Sequence, residues 1–198
     1  MRGRLSSFAQ KIALCAALAL TLSACSGGFG KDIPKAVREY YSALESCTLR
    51  AIVTADFADY TISFDLRYAY AGEEAEGEIT VMAPEEIAGI RAQIGVDGRL
   101  IGFEGDVLET GTLPGTVLSP IEALPAMMRA WRGGLATSSC EEKRAGVQCA
   151  AVTLITSLGG DDMELRAWFD SASLAPIYAE AYAGGGRCVL MIEFTEDG

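Results

Sequence analysis

Residues 48–70, TLRAIVTADFADYTISFDLRYAY, decide the fold class of this chain of 198 residues. Apolar and polar side chains alternate through residues 48–57 and again through 61–70, which predicts two long strands joined by a turn at 58–60. One face of the second strand would carry Ile62, Phe64, Leu66, Tyr68 and Tyr70. Because the apolar side chains share one face of the strand, this alternation indicates a sheet whose apolar face is covered by other parts of the fold.

The same alternation recurs along the rest of the chain. Further strands are predicted at residues 77–82, 86–94, 100–108, 135–141, 147–157, 163–170, 176–183 and 187–194. Asp97-Gly98 is a hairpin signal, and Gly184-Gly185-Gly186 marks the last turn. Because the connections are short, the strands are expected to be antiparallel.

Two segments have helical spacing instead. Residues 32–46 place their apolar side chains on one face of an amphipathic helix, with Pro34 in its first turn. Ser119 as the cap and Pro120 in the first helical position predict the start of a second helix. Pro125 lies inside that helix, so we expect a kink or two short helices.

A sheet of about 10 or 11 strands must curl or close, because open twisted sheets rarely exceed about ten strands. The predicted fold class is therefore α+β: a curled antiparallel sheet, an open half-barrel, with two helical segments plugging its concave face. An apolar hollow between sheet and helices would suit a hydrophobic ligand. Its candidate lining residues are Phe64, Leu66, Ile90, Ile94, Met127 and Trp131. The alternative is that these residues simply fill the core.

The N-terminal segment predicts export. Residues 1–11 carry three basic residues and no acid, and residues 12–22, IALCAALALTL, are apolar. That run is about half of the roughly 20 residues that a membrane-spanning helix needs, so it favours a secretory signal. Leu22-Ser23-Ala24-Cys25 resembles the bacterial lipobox in every position. The resemblance implies cleavage before Cys25 and acylation of its thiol, which would anchor the protein; a secreted protein with a chance cysteine is the alternative.

The predicted organisation is a lipoprotein signal peptide in residues 1–24, an acylated cysteine with a flexible tether in 25–31, and one domain in 32–198. The net charge of the chain is −11. The first 24 residues hold three of the 16 basic and none of the 27 acidic residues, so the remainder carries −14. Nucleic acid and anionic lipid surfaces would repel such a protein, and solubility outside the cell accounts for the charge.

Four cysteines remain after the signal and the anchor are set aside. Cys140 and Cys149 flank a polar stretch, and a turn centred on Arg144-Ala145 would place them opposite each other on a hairpin. A disulfide between them would leave Cys47 and Cys188 as a second pair. Four free thiols are the alternative.

The chain offers little catalytic chemistry. It contains no histidine, which removes the usual general base near neutral pH and the commonest metal ligand. Asp161-Asp162 after Gly159-Gly160 could bind calcium weakly, although a turn needs the same residues. The acidic stretch 72–76 is a charged hairpin tip. We predict no enzyme, no metal site and no cofactor.

Three stretches resemble the fold family of LolA, LolB and RseB, and in particular LolA-like lipoproteins of Gram-positive spore-formers of the germination lipoprotein GerS type. Residues 166–177, RAWFDSASLAPI, are an aromatic strand that ends in Asp, followed by a turn and Leu-x-Pro. Residues 40–47, YYSALESC, and residues 77–85, GEITVMAPE, also fit the family pattern. The resemblance implies a half-barrel without enzymatic activity, anchored on the outer face of the cell membrane, or in the outer membrane of a Gram-negative cell.

Two functions remain open at this stage. The first is an interaction or regulatory module that presents a rigid surface to another extracytoplasmic protein. The second is a carrier or sensor that binds a lipid or acyl chain in the concave hollow. A filled hollow favours the first function, and an open, apolar-lined hollow favours the second.

Overall fold

A single antiparallel sheet forms the body of the molecule. The computed structural model describes residues 32–72, 77–94, 100–102, 114–116, 118–158 and 161–195. Within them, ten strands follow the order β5-β4-β3-β2-β1-β10-β9-β8-β7-β6. The strands are β1 (Ser46–Asp56), β2 (Thr61–Ala71), β3 (Gly77–Ala83), β4 (Arg91–Ile94), β5 (Leu100–Gly102), β6 (Leu135–Arg144), β7 (Val147–Leu158), β8 (Asp161–Asp170), β9 (Pro176–Ala183) and β10 (Arg187–Thr195). Since β5 and β6 do not pair with each other in this order, the described sheet is open.

The sheet consists of two meanders, β1 to β5 and β6 to β10, joined where the first strand pairs with the last. The β1–β10 register runs from Arg50 opposite Thr195 to Ala55 opposite Leu190. Every other neighbouring pair consists of strands that follow each other in the chain. The predicted class, a curled antiparallel half-barrel with two helices, is confirmed.

The period of two in residues 48–70 produces one dry face. Ala51 and Val53 of β1 are fully buried, and they lie opposite Leu66 and Phe64 of β2, which are also buried. Small residues on β1 thus face large ones on β2. The intervening residues Ile52 and Arg67 point to the other side of the sheet and are exposed.

Two helices cover the buried face. Helix α1 spans Ile33–Ala43, and a 3₁₀ turn at Pro120–Glu122 runs into helix α2 at Ala123–Gly133. The Ser119 backbone N–H donates a hydrogen bond to the Glu122 carboxylate at 3.2 Å, as in a capping box. Pro125 is the third residue of α2. Backbone N–H groups in the first turn have no partner within the helix, so a proline there costs no helical hydrogen bond. The helix runs without a break through Pro125 to Gly133, so the expected division into two short helices at this proline is not found.

Each helix caps the other through an arginine. Arg38 of α1 donates a hydrogen bond from Nη2 to the Gly134 carbonyl at 2.8 Å, just beyond the end of α2. Arg132 of α2 donates from Nη1 to the carbonyls of Tyr41 and Leu44, at 2.8 and 3.3 Å. Carbonyls at helix C-termini lack helical partners, and cations there are favoured by the helix dipole. The two C-termini are thereby held together.

The strand predicted at residues 86–94 is wrong in its first half. Glu85–Ile87 is a 3₁₀ turn, and β4 begins only at Arg91. Gly89 has φ of 91°, a conformation that favours glycine, and its N–H donates to the Val81 carbonyl at 2.8 Å. The turn therefore ends the alternation that the sequence suggested. Most of the strand predicted at 100–108, and the Asp97-Gly98 hairpin signal, lie outside the described residues.

One buried hydrogen bond between α1 and the β8–β9 connection can be tested directly. The Tyr41 hydroxyl donates to the Leu174 carbonyl at 2.8 Å, and Tyr41 is 1% exposed. Tyr41→Phe should lower the free energy of unfolding by about 1–2 kcal/mol, because it leaves a buried carbonyl without its donor. Urea unfolding followed by circular dichroism measures the change. Tyr60→Phe is the control, since Tyr60 is 60% exposed; equal effects of the two substitutions would contradict the assignment.

Candidate functional site

The predicted apolar hollow is filled. Five of its six candidate lining residues are at most 3% exposed and belong to the main core: Phe64, Leu66, Ile94, Met127 and Trp131. Ile90 is half-buried and packs against the same core. In the described part of the chain, these six residues thus belong to one core cluster or pack against it.

Trp131 occupies the centre of this packing. Its ring lies 4.7 Å from the Tyr41 ring of α1, 5.2 Å from Phe169 of β8 and 5.7 Å from Phe194 of β10, measured between centroids. Aromatic pairs at these separations stabilise a fold beyond their buried area. An apolar ligand at this position would have to displace the indole.

A groove remains at the margin of the core, between the C-terminal end of α1 and one end of the sheet. We call it the α1 groove; its volume is about 500 Å³. Its walls are formed by Tyr40, Tyr41, Leu44, Cys47, Thr48, Leu49, Arg50, Ala175, Pro176, Ile177, Phe194 and Thr195. Most of these side chains are apolar or aromatic. The sequence alone does not reveal this groove, because its walls come from four elements that only the fold brings together.

The polar side chains around the α1 groove mostly make contacts that stabilise the fold. Arg50 makes a bidentate ion pair with Asp65, at 3.1 and 2.9 Å. Burial raises the pKa of the Cys47 thiol, and the nearby charge of Arg132 opposes that shift. A thiol with a raised pKa is a poor nucleophile at neutral pH. The groove is therefore suited to contact rather than to covalent chemistry.

A second cluster lies on the opposite, outer face of the sheet. Arg144 stacks on Tyr178 and Trp168, with its Cζ 3.6 and 4.4 Å from the two ring centroids. Arg166 covers Trp168 at 4.6 Å, and the Trp168 indole N–H donates to Glu142. Cation–π contacts of this kind bury the Trp168 ring, which is 2% exposed. Trp168, Glu164 and Arg166 alternate along β8 and therefore share one face of the strand. An aromatic residue on a charged strand face is the feature of the sequence that indicates this cluster.

The predicted disulfide register is wrong. The hairpin turn is Ala145-Gly146, with φ of 49° and 85°, so Arg144 pairs with Val147. Cys140 therefore lies opposite Ala151, while Cys149 lies opposite Glu142. Such diagonal neighbours are about 7–8 Å apart, beyond the usual reach of a disulfide.

The second predicted pair is further apart still. Cys47 lies at the start of β1, whereas Cys188 lies beyond Leu190, which pairs with Ala55. Eight residues of strand span about 26 Å. All four cysteines are free thiols in this structure.

The described residues contain no group of three or more His, Cys, Asp or Glu side chains that could hold a metal ion. Asp161 and Asp162, weighed as weak calcium ligands, begin β8 as its first two residues. No helix in the described ranges is long and apolar enough to cross a membrane.

Comparisons with known proteins do not identify this chain. No protein-family model matches the chain, and no curated protein sequence does. Among solved structures it is similar to a LolA superfamily protein from Nitrosomonas europaea, with 12% identity, a TM-score of 0.44, and coverage of 84% of this chain and 93% of that one.

Two further solved structures are similar at the same level. A domain from Vibrio parahaemolyticus, described as an outer membrane lipoprotein-sorting protein, has 13% identity and a TM-score of 0.43, over 82% of this chain and 76% of that one. A DUF1329 family protein from Desulfovibrio piger has 10% identity and a TM-score of 0.43, over 83% and 89%. Likenesses this weak carry no functional argument.

The environments of the thiols predict an order of reactivity. Cys140 is exposed, whereas Cys149 is buried, and burial raises the pKa of the thiols of Cys149, Cys47 and Cys188. Iodoacetamide at pH 8 without reductant should alkylate Cys140 about tenfold faster than the other three, because it reacts with accessible thiolates. Peptide mass spectrometry over time measures this, and Cys140→Ser should remove the fast phase. Cysteines that react only after reduction would show that disulfides exist.

Proposed function

We propose that this protein is a membrane-anchored, extracytoplasmic module that acts by binding another protein and has no enzymatic activity. The observation that carries the proposal is the packed interior: Leu66, Met127 and Trp131 are at most 1% exposed, so among the described residues these side chains leave no accessible apolar surface for cargo. A rigid, packed sheet is a suitable scaffold for presenting a surface. The chain contains no histidine, the usual general base near neutral pH.

The anchor is the second part of the proposal. It is supported by the sequence Leu22-Ser23-Ala24-Cys25, which lies outside the described residues, and by the short distance in sequence from Cys25 to the first helix at Ile33. Kinship with LolA-like lipoproteins of the GerS type is likewise proposed, on the stretches 166–177 and 77–85. Acylation would keep the domain on the outer face of its membrane, close to partners that are also anchored there.

Replacing the acylated cysteine tests both parts. Cys25→Ser should move the protein from the membrane fraction to the soluble extracytoplasmic fraction, because no acyl chain remains to hold it. Cys15→Ser is the matched control, since it lies in the same apolar segment but should leave the protein in the membrane. Crosslinking in intact cells should give a discrete protein adduct for the wild type and lose it in Cys25→Ser. A Cys25→Ser protein that stays in the membrane fraction would contradict the anchor.

The second candidate function is binding of an apolar ligand, and the α1 groove is the specific observation that favours it. Its volume of about 500 Å³ falls within the usual range of small-molecule sites. Leu44, Leu49 and Phe194 line it and are only half-buried, so they have apolar surface left to cover. An acyl chain could lie there without displacing Trp131.

Native mass spectrometry of the Cys25→Ser protein, with organic extraction of the same sample, distinguishes the two functions. The first function predicts an apo mass and no extracted lipid. The second predicts a stoichiometric lipid adduct that Leu44→Asp removes, because a carboxylate in the groove opposes an apolar ligand. Tyr60→Asp, at an exposed loop position, should leave any adduct unchanged. An adduct insensitive to Leu44→Asp would exclude the α1 groove as its site.

A further inference from the structure

Strand β6 forms one edge of the described sheet. It is the last strand in the order of the sheet, and among the described strands it pairs with β7 alone. None of its residues is buried. Sheet edges are commonly protected by charged side chains, and β6 carries these at residues 141–144, EEKR, whereas residues 137–140, TSSC, are uncharged. The uncharged half therefore leaves part of this edge accessible to another strand.

The register of the sheet shows which backbone groups of β6 point away from it. The Gln148 carbonyl accepts a hydrogen bond from the Ser171 N–H at 3.0 Å, so Gln148 directs its backbone groups towards β8. Successive residues of an antiparallel strand alternate in this direction, so Cys149 faces β6 and its partner Glu142 faces β7. The residues of β6 that point outward are therefore Ser139, Glu141 and Lys143. A peptide strand offers the matching donors and acceptors, whereas an acyl chain offers none.

A pocket with a volume of about 400 Å³ lies beside this edge. Ser138, Ser139 and Cys140 of β6 line it on one side, and Glu164 and Arg166 of β8 line it on the other. Successive side chains of a strand point to opposite faces, so three consecutive lining residues mean that the pocket extends to the edge itself. The lining side chains of β6 are small, and a long side chain from an added strand can therefore enter the pocket over them.

The unpaired charge in this pocket is negative. Arg166 forms an ion pair with Glu142, with its Nη2 3.3 Å from the carboxylate, and its guanidinium covers the Trp168 ring. Glu164 is exposed and makes no hydrogen bond or ion pair with another described residue. A cation complements such a carboxylate. The chain as a whole carries a net charge of −11, which also attracts a basic partner.

We propose that β6 binds an extended segment of another protein as an additional antiparallel strand, and that a lysine or arginine of this segment enters the pocket lined by Glu164. Main-chain hydrogen bonds to the three outward-directed residues of β6 supply affinity, and the pocket supplies selectivity. Segment residues opposite Ser138 and Cys140 place their side chains on the face of the sheet where the pocket lies. The inference rests on the proposed protein-binding function and adds the chemistry of the partner to it.

The edge is tested on the full-length, unacylated Cys25→Ser protein with a short end-blocked peptide, threonine-valine-lysine-valine-threonine. Hydrogen exchange followed by NMR should show that the peptide protects the N–H groups of Ser139, Glu141 and Lys143, because they gain partners. Ser139→Pro should weaken binding about tenfold, since proline has no N–H to donate and is tolerated at a sheet edge. Ser139→Ala is the matched control and should bind the peptide unchanged. A peptide that protects none of the three N–H groups would overturn the proposal.

The pocket is tested with a second peptide in which glutamate replaces lysine. The lysine peptide should bind about tenfold more tightly, because its charge is opposite to that of Glu164. Glu164→Gln should abolish this preference, whereas Glu193→Gln, at an exposed position on β10, should leave it unchanged. The bound lysine peptide should also slow the alkylation of Cys140, which lines the pocket. Equal binding of the two peptides would overturn the role of the pocket.

Crosslinking in intact cells separates this proposal from the function on which it rests. The protein adduct expected for the wild type should persist in Ser139→Ala and be lost in Ser139→Pro. An adduct that survives Ser139→Pro would overturn the β6 site but leave the protein-binding function standing, and a wild type without any adduct would overturn both. A wild-type dimer that Ser139→Pro dissociates would also overturn the proposal, because the edge would then bind a second copy of this chain.

Discussion

The packing of Trp131 is the contact on which the rest of the architecture depends. Its indole meets Tyr41 of α1, Phe169 of β8 and Phe194 of β10, so one side chain joins both helices to the C-terminal meander. Protein interiors are packed as densely as organic crystals, and these four rings follow that rule. In the described part of the chain, the α1 groove lies at the edge of this packing, beside α1.

Placing two short helices inside a curled sheet creates a second requirement. Their C-terminal carbonyls end within the fold, and Arg38 and Arg132 satisfy them. Arginine suits this task because its fork can reach two acceptors and its charge complements the helix dipole. Arg132 is half-buried where it makes these bonds, whereas Arg38 stays exposed.

Sequence periodicity predicted most of the strands, because alternation in a half-buried sheet is a local property. It failed where the local pattern was overridden: the turn at Glu85–Ile87 and Gly89 interrupts an apolar alternation, and Ala145-Gly146 shifts the hairpin register by one residue in the turn. Alternation does not report volume, so the sequence could not tell whether Phe64, Leu66 and Trp131 fill a core or line a hollow. The α1 groove depends on residues from α1, β1, β9 and β10, whose proximity follows only from the pairing of β1 with β10.

The pairing of β1 with β10 affects how the chain folds. Arg50 and Thr195 are 145 residues apart in sequence, yet they lie side by side at the middle of the sheet. The contact closes a very long loop, and contacts of this kind slow folding because chain entropy is lost before they form. Until β10 is in place, β1 and β9 each present an open edge that another chain could join. The strand β10 thus lies in the middle of the described sheet, and a deletion within it acts on the centre of the sheet rather than on its periphery.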